Sequence, residues 1–243
     1  MDRRLISTAV MARRFEPPTG LDFFPTPPWA TRAFCEYVMP VVSPYSDRFK
    51  ATAWDPACGQ GHMMNALSDY FERPVFGSDI FNYRIGRPVL DFLGPRDPMI
   101  QTDWIITNPP FKDGAQFVMR ALELASVGVA MLVRTQFLET ADRYRQLYQK
   151  RPADLIAQFV ERVPMHRGRW VVNGKTATSY CWLVWLRHRE HARSRAAAHF
   201  GQGFIWIPPC RQKLTRPDDV LRFGGCVDIP KKHKAWRPER IAA

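Results

Sequence analysis

Apolar and polar positions in this chain alternate in blocks that read as strands and helices in turn. Helices are predicted over 28–39, 63–71, 114–125 and 141–149, the first with Pro28 near its start and Pro40 ending it. Strands are predicted over 50–54, 74–78, 104–107, 127–133, 155–160 and 179–186. The 127–133 segment is small and branched throughout, as suits a buried strand, and 179–186 is strongly aromatic and β-branched. Strands alternating with helices imply an α/β fold, a mostly parallel sheet with helices on both faces. In such sheets the ligand lies outside the carboxyl ends of the strands. Asp55, Asp79 and Asn108 each stand at a predicted strand end. They converge on one candidate site before any motif is considered.

Composition narrows the classes. The chain has 243 residues, 46% hydrophobic and 13% aromatic, which suits one or two folded domains and excludes a disordered chain. Lys and Arg number 35 against 23 Asp and Glu, a net charge of +12. A polyanion is the expected partner, DNA or RNA first and a membrane surface second. The chain shows no apolar run of transmembrane length and no apolar core of a secretory leader, so a cytoplasmic protein is expected. Five Cys without a CxxC pair fit neither a disulfide framework nor a structural zinc cluster, and Cys210, Cys226 and His233 are too sparse for a metal site. No metal is expected. Three parts follow: an arm over 1–20, an α/β domain over 21–186 and a basic extension over 187–243. The extension holds 13 Lys or Arg against 5 Asp or Glu, +8 of the total charge.

The first chemical signal is Asp55-Pro56-Ala57-Cys58-Gly59-Gln60-Gly61, between a strand and a helix. Gly59 and Gly61 allow a ligand to approach the backbone at a helix start. A dinucleotide loop would want a third glycine where Met64 stands, and an acid at the head of the loop repels a pyrophosphate. Asp55 suits a cationic ligand, and S-adenosylmethionine, with its sulfonium and ammonium, fits. Asp79 is placed to accept the ribose hydroxyls. The structural alternative is a tight turn with a capping Asp. Asp91 and Phe92 follow a presumed third strand; they suit an adenine amino group and ring, or equally a loop acid and a core phenylalanine. Asp103 has no clear role.

The second signal is Asn108-Pro109-Pro110-Phe111 after the apolar strand over 104–107. Two prolines remove two donors and stiffen the turn. The Pro109 carbonyl and the Asn108 amide oxygen then form two fixed acceptors, suited to both hydrogens of an exocyclic amino group. Drawing both hydrogens away favours a pyramidal nitrogen and stabilises the positive charge that grows there during methyl transfer. Phe111 can stack on the base. The alternative is a rigid turn with Phe111 in the core.

DPACGQG followed by TNPPF resembles the class I S-adenosylmethionine-dependent methyltransferases that act on exocyclic amines. The segment Asp22 to Ala30, DFFPTPPWA, is similar to the FxTPxxxA segment of DNA N6-adenine methyltransferases, with Phe24, Thr26 and Pro27 matching. The order of the three elements is similar to the gamma arrangement found in small phage and prophage enzymes, and the resemblance covers about 22–186. It implies a Rossmann-like fold with an antiparallel hairpin at one sheet edge. It also implies S-adenosylmethionine held by Phe24, Thr26, Pro27, Asp55, Pro56, Ala57, Gly59, Gly61, Asp79, Asp91 and Phe92, with Asn108, Pro109, Pro110 and Phe111 as the catalytic turn. The expected substrate is adenine extruded from duplex DNA. The chain lacks the large separate recognition domain of long gamma enzymes.

Near the expected hairpin, His166, Arg167, Arg169 and Lys175 are candidate phosphate contacts, and Trp170 a candidate wedge or stacking ring. A solvated hairpin with one packed Trp is the plainer alternative. In the tail, apolar residues over 204–211 can dock between basic runs that supply sequence-blind, salt-dependent affinity. Other readings are N4-cytosine methylation, an RNA N-methyltransferase acting on adenine or guanine, a protein glutamine methyltransferase, and a non-catalytic nucleic-acid-binding protein on the same fold. Asn at the head of the PPF turn argues against cytosine, and the net charge argues against a protein substrate.

Overall fold

The computed structural model describes residues 22–45, 47–95, 100–187 and 203–225. Seven strands are β1 (Ala53–Asp55), β2 (Val75–Gly77), β3 (Thr102–Thr107), β4 (Ala125–Arg134), β5 (Leu155–Phe159), β6 (Tyr180–Leu186) and β7 (Phe204–Ile207). They form one sheet in the order β2-β1-β3-β4-β6-β5-β7. The β2, β1, β3 and β4 strands are parallel, β6 is antiparallel to both β4 and β5, and β7 is parallel to β5. The helices are α1 (Pro28–Ala33), α2 (Met39–Val42), α3 (His62–Leu67), α4 (Gly114–Leu124), α5 (Ala141–Arg143), α6 (Arg211–Leu214) and α7 (Asp219–Phe223).

Strand alternation sorts the core onto two faces. Trp104 and Ile106 of β3, with Tyr180, Trp182 and Val184 of β6, meet α1 and α3 through Trp29, Phe34, Met63 and Leu67. Ile105, Cys181, Leu183 and Trp185 turn the other way, against Phe117, Val118 and Ala121 of α4. Helices thus cover both faces, and the sheet is the mostly parallel, Rossmann-like one expected. Met64, which stands where a dinucleotide loop would carry glycine, packs on Gly77 of β2. A Cβ on Gly77 would lie 2.5 Å from the Met64 sulfur, so the small residue lies in the strand and not in the loop.

Several expectations need correction. Pro40 does not end the first helix, which continues through a wide turn at Phe34–Val38 into α2. There the Met39 N–H reaches back to the Phe34 carbonyl, and the widened turn accommodates a proline ring that a regular helix would expel. The third strand presumed before Asp91 is reduced to one bridge between Asp79 and Val89. The antiparallel pair β5–β6 does not lie at the sheet edge, because β7 covers it. Before β6, Asn173 and Gly174 make a turn closed by the Gly174 N–H on the Val171 carbonyl.

The strand β7 and helices α6 and α7 lie within the expected basic extension. An ionic cluster fastens them to α1. The buried Arg32 makes two bonds to Asp219, at 2.8 and 2.6 Å, and a third to the Leu214 carbonyl. Asp69 joins from beyond α3, 2.7 Å from Arg216 and 2.8 Å from Arg222. His62, first residue of α3, meets the Phe223 carbonyl at 2.9 Å. The arm over 1–20 and the basic runs over 188–195 and 231–237 lie outside the described residues.

Candidate active site

Two loops at the carboxyl ends of β1 and β3 build the site. The first begins at Asp55, which is 1% exposed. Its Oδ1 accepts the Thr107 hydroxyl at 2.7 Å and the Ala57 N–H at 3.3 Å, while Oδ2 receives no bond among the described residues. Burial pushes this carboxyl up to about 7, against the two hydrogen bonds that favour its charge. A buried carboxylate with one oxygen unbonded has the chemistry to hold a cation. Gly59 and Gly61 have φ of +52° and +82°, which favour glycine. Asp79, just past β2, holds the Gly59 N–H at 2.8 Å and the Phe81 N–H at 3.0 Å, so its carboxylate shapes the loop. Burial also raises its pKa. Pro56 is buried within the same turn.

The segment before α1 closes over both loops. A Cβ on Gly59 would lie 2.6 Å from the Phe23 ring, which packs on Tyr83 with centroids 4.8 Å apart. Consecutive residues then clamp separate parts of the site. Asp22 accepts the Phe111 N–H at 2.7 Å. The Phe23 carbonyl accepts the Gly168 N–H at 2.9 Å. The Phe24 carbonyl accepts the Asn108 Nδ2 at 3.1 Å. Thr26 is buried, and Pro27 directly precedes α1.

That last bond fixes the direction of Asn108. With Nδ2 spent on Phe24, and a weaker contact of 3.7 Å to the Met165 sulfur, Oδ1 faces the other way. It is buried and has no hydrogen-bond partner among the described residues, which leaves an acceptor free for a ligand. No described residue donates to the Pro109 carbonyl either. Phe111 packs beside Phe24, centroids 5.1 Å apart, and the Arg134 guanidinium lies 3.6 Å from its ring centre. Pro109, Pro110, Phe111, Arg134, Gln136 and Arg143 border a cavity of about 150 Å³.

Other candidates fall elsewhere. Phe92 is a core residue, 3% exposed, edge-on to Trp54 and 4.8 Å from Phe117; its ring offers no face to adenine. Asp91 is exposed and caps its own turn through the Leu93 N–H. Trp170 is not a wedge: it is 3% exposed and packs with Ala66 and Phe223, where it helps seat the tail. Arg167, Arg169 and Lys175 are exposed, and His166 is half-buried against Gly174. The turn bearing Arg167 and Arg169 is bonded to Phe23 through Gly168, which places it beside the site. Asp103 is structural: it ties Thr52 and Ser126 together across β3. Sequence reasoning passed over Asp22, Phe23, Met165 and Arg134. Arg134 carried a signal, as a charged residue closing an apolar strand at its carboxyl end.

No protein-family model and no curated protein matches the sequence. Solved structures resemble it distantly. A Listeria monocytogenes protein assigned to the class I S-adenosylmethionine-dependent methyltransferases aligns with TM-score 0.47 and 12% identity, over 66% of this chain and 60% of its own. This chain therefore spans less than two thirds of that protein's length. The methyltransferase subunit of a type I restriction-modification system from Streptococcus thermophilus aligns with TM-score 0.44 and 12% identity, over 69% and 46%. Magnesium protoporphyrin IX methyltransferase of Synechocystis, solved with bound S-adenosylmethionine, gives 0.43 and 12%, over 65% and 80%. In this chain the sheet order is β2-β1-β3-β4-β6-β5-β7, and the two loops of the candidate site leave the carboxyl ends of its adjacent parallel strands β1 and β3. Among the described residues no helix is long and apolar enough to cross a membrane, and no group of three metal-ligating side chains occurs.

Proposed function

We propose that this chain is an S-adenosylmethionine-dependent methyltransferase acting on the N6 amine of adenine in DNA. The observation that carries the reading is the open acceptor at Asn108 Oδ1, followed in the same turn by the Pro109 carbonyl, to which no described residue donates. The donor set fits the cofactor: Asp55 Oδ2 lies open to a cation, Asp79 lies beside Gly59, and Phe23 and Tyr83 supply aromatic faces. When bound, S-adenosylmethionine supplies an electrophilic methyl group on a sulfonium.

The chain's own residues do the rest. Asn108 and Pro109 accept the two amine hydrogens, orient the nitrogen lone pair and stabilise positive charge as it develops there. The Phe24 carbonyl fixes the amide so that its oxygen and not its nitrogen faces the amine. No strong base is needed, because the proton is acidic once nitrogen carries charge. The segment from Asp22 to Phe24 ties the catalytic turn in place through the Phe111 N–H and the Asn108 amide. Extrusion of the base is required, since N6 inside a duplex cannot meet a sulfonium in line. The net charge of +12 and the exposed Arg167, Arg169 and Lys175 favour a nucleic acid over a protein substrate.

The test is transfer of labelled methyl to mixed-sequence duplex DNA, followed by digestion to nucleosides and mass analysis. N6-methyladenine is the expected product. Asn108→Ala should lower the rate by about 10²–10³-fold, the usual loss for one preorganised hydrogen-bonding group, with cofactor affinity nearly unchanged. Methyl appearing only on RNA would transfer the reading to the RNA alternative. Equal loss of cofactor binding and rate in the variant would remove Asn108 from the chemistry.

A further inference from the structure

Arg134 and Arg143 both border the cavity beside Phe111, and they are in opposite conditions. Arg143 is held by backbone carbonyls through its Nη1. It donates to the Phe137 and Glu139 carbonyls at 3.0 Å each and to the Gln136 carbonyl at 3.3 Å, and it lies 4.2 Å from the Phe137 ring centre. It holds the turn after β4 in shape. Arg134, last residue of β4, makes no hydrogen bond and no ion pair among the described residues, and its Nε is buried without a partner. Aromatic contact alone holds it, 3.6 Å from the centre of Phe111 and 5.9 Å from that of Phe24.

A guanidinium carries five donors in one plane. Over the ring of Phe111 at the border of the cavity, that of Arg134 spends none of those donors on a described residue. The ligand that completes it must offer paired anionic oxygens, and a phosphodiester is the matching group. Position supports this. Arg134 shares its aromatic neighbour with the turn that presents Asn108 Oδ1, so an anion bound there lies next to a ring whose amine Asn108 accepts. A nucleotide offers both groups, joined by one sugar.

We propose that Arg134 is the phosphate ligand of the target nucleotide, resting on Phe111 until substrate arrives. The inference rests on the reading of the Asn108 turn as the seat of a nucleotide base. On binding, the guanidinium gives up its contact with Phe111 and pairs with the phosphate flanking the extruded base, which then takes the ring face. One cation–π contact is exchanged for a base stack and a charge-assisted bidentate bond, both of them stronger. Arg134 is therefore a binding and positioning residue and takes no part in the proton chemistry.

The experiment is equilibrium binding of the full chain to a single-stranded, adenine-containing oligonucleotide across a salt series, so that duplex opening does not enter. Arg134→Ala should bind about tenfold more weakly at low salt. It should also lower the slope of log affinity against log salt by about 0.7, the share of one phosphate on a single strand. Arg134→Lys, which keeps the charge and loses the flat fork, should keep the slope. Matching thermal melts establish that both variants are folded. An unchanged slope in Arg134→Ala overturns the proposal, and so does an equal loss of slope in Arg134→Lys. Running DNA and RNA strands in parallel identifies which phosphodiester is the better ligand. Methyl transfer by the unmodified chain is scored separately. A reduced slope without any methyl transfer keeps the phosphate ligand and rejects the catalytic reading; transfer with an unchanged slope does the reverse.

Discussion

The strand-end site and the docked tail use the same residue types to opposite ends. In the tail, Arg32 is 1% exposed, and Asp219, Leu214 and Asp69 surround its guanidinium. At the strand-end site, Arg134 lies against an aromatic ring with nothing to bond among the described residues. The carboxylates divide in the same way. Asp219 meets its cation at 2.6 Å, whereas Asp55 is equally buried and meets only a hydroxyl and an amide N–H. A folded chain gains nothing by leaving buried polar atoms open. Both guanidinium groups keep a buried Nε without a partner among the described residues, but Arg32 spends its two terminal nitrogens on Asp219 and Leu214 while Arg134 bonds to nothing there; the contrast lies in those terminal groups, in Asn108 Oδ1 and in the second oxygen of Asp55.

The largest expected effect separates the two regions by stability. Asp219→Ala strands Arg32 as a buried charge beside the more distant Asp69, and should cost about 3–5 kcal/mol. Replacing both partners together, Arg32→Met with Asp219→Leu, should recover most of that loss, because the desolvation of both ions is relieved. Urea melts of the single and double variants measure the difference. Equal loss in both would mean that the pair acts through packing and not through charge. Neither variant removes a group from the strand-end site, so methyl transfer at low temperature should stay close to that of the unmodified chain.

Asp55 sharpens the contrast from the other side. Its carboxyl titrates near 7 in the folded chain, against about 3.9 when unfolded. Between those values the folded state holds the extra proton, so the stability of the cofactor-free protein should fall as pH rises from about 4 to 7 and then level off. Asp55→Asn keeps an acceptor for Thr107 and Ala57 and removes the charge. At pH 8 the variant should be more stable than the unmodified chain by up to about 4 kcal/mol. It should at the same time lose at least about tenfold in affinity for S-adenosylmethionine. Melts at pH 5 and 8 with calorimetric titration of the cofactor test both halves. A variant less stable at pH 8 would show that Asp55 serves the fold, as Asp219 does.

The site was more legible in the sequence than the tail, and locality explains the difference. Asp55 to Gly61 and Asn108 to Phe111 are contiguous runs whose chemistry depends on strand ends that the apolar pattern marks. The relation of Arg32 to Asp219 spans 187 positions and exists only once β7 has joined the sheet. Trp170 misled for the same reason: a tryptophan among basic residues reads as a nucleic-acid contact, and only the fold brings Ala66 and Phe223 onto its faces. Phe92 was open between ligand and core, and Trp54 and Phe117 enclose it. The proline at position 40 reads as a helix breaker by local rules, yet the wide turn just before it absorbs the ring. The motif singles out Asn108 as a candidate, but the bond that turns its oxygen away from Phe24, 84 positions distant, leaves no mark in the sequence.

The smallest expected effect concerns the joint between the two regions. His62 begins the helix after the glycine loop, and its Nε2–H donates to the Phe223 carbonyl of the tail. Burial lowers its pKa to about 4, even though the bond to Phe223 favours the charged form. The ring is therefore neutral in the folded chain, while in the unfolded chain it titrates near about 6.5. Between these values the unfolded state binds the additional proton, so the His62 contribution is intact above about 6.5 and is lost as pH falls toward 4, by up to about 3 kcal/mol. Its direction is opposite to that of Asp55 over part of the same window, and variants at the two positions separate them. His62→Gln keeps a donor within reach of Phe223 without a titrating ring. In a background of Asp55→Asn, it should flatten the fall in stability between about pH 6.5 and 4, measured by urea melts at closely spaced pH values. A fall that persists unchanged would assign the acid sensitivity to the carboxylates of the Arg32 cluster. The helix that carries the glycine loop would then add no pH-dependent hold on the tail.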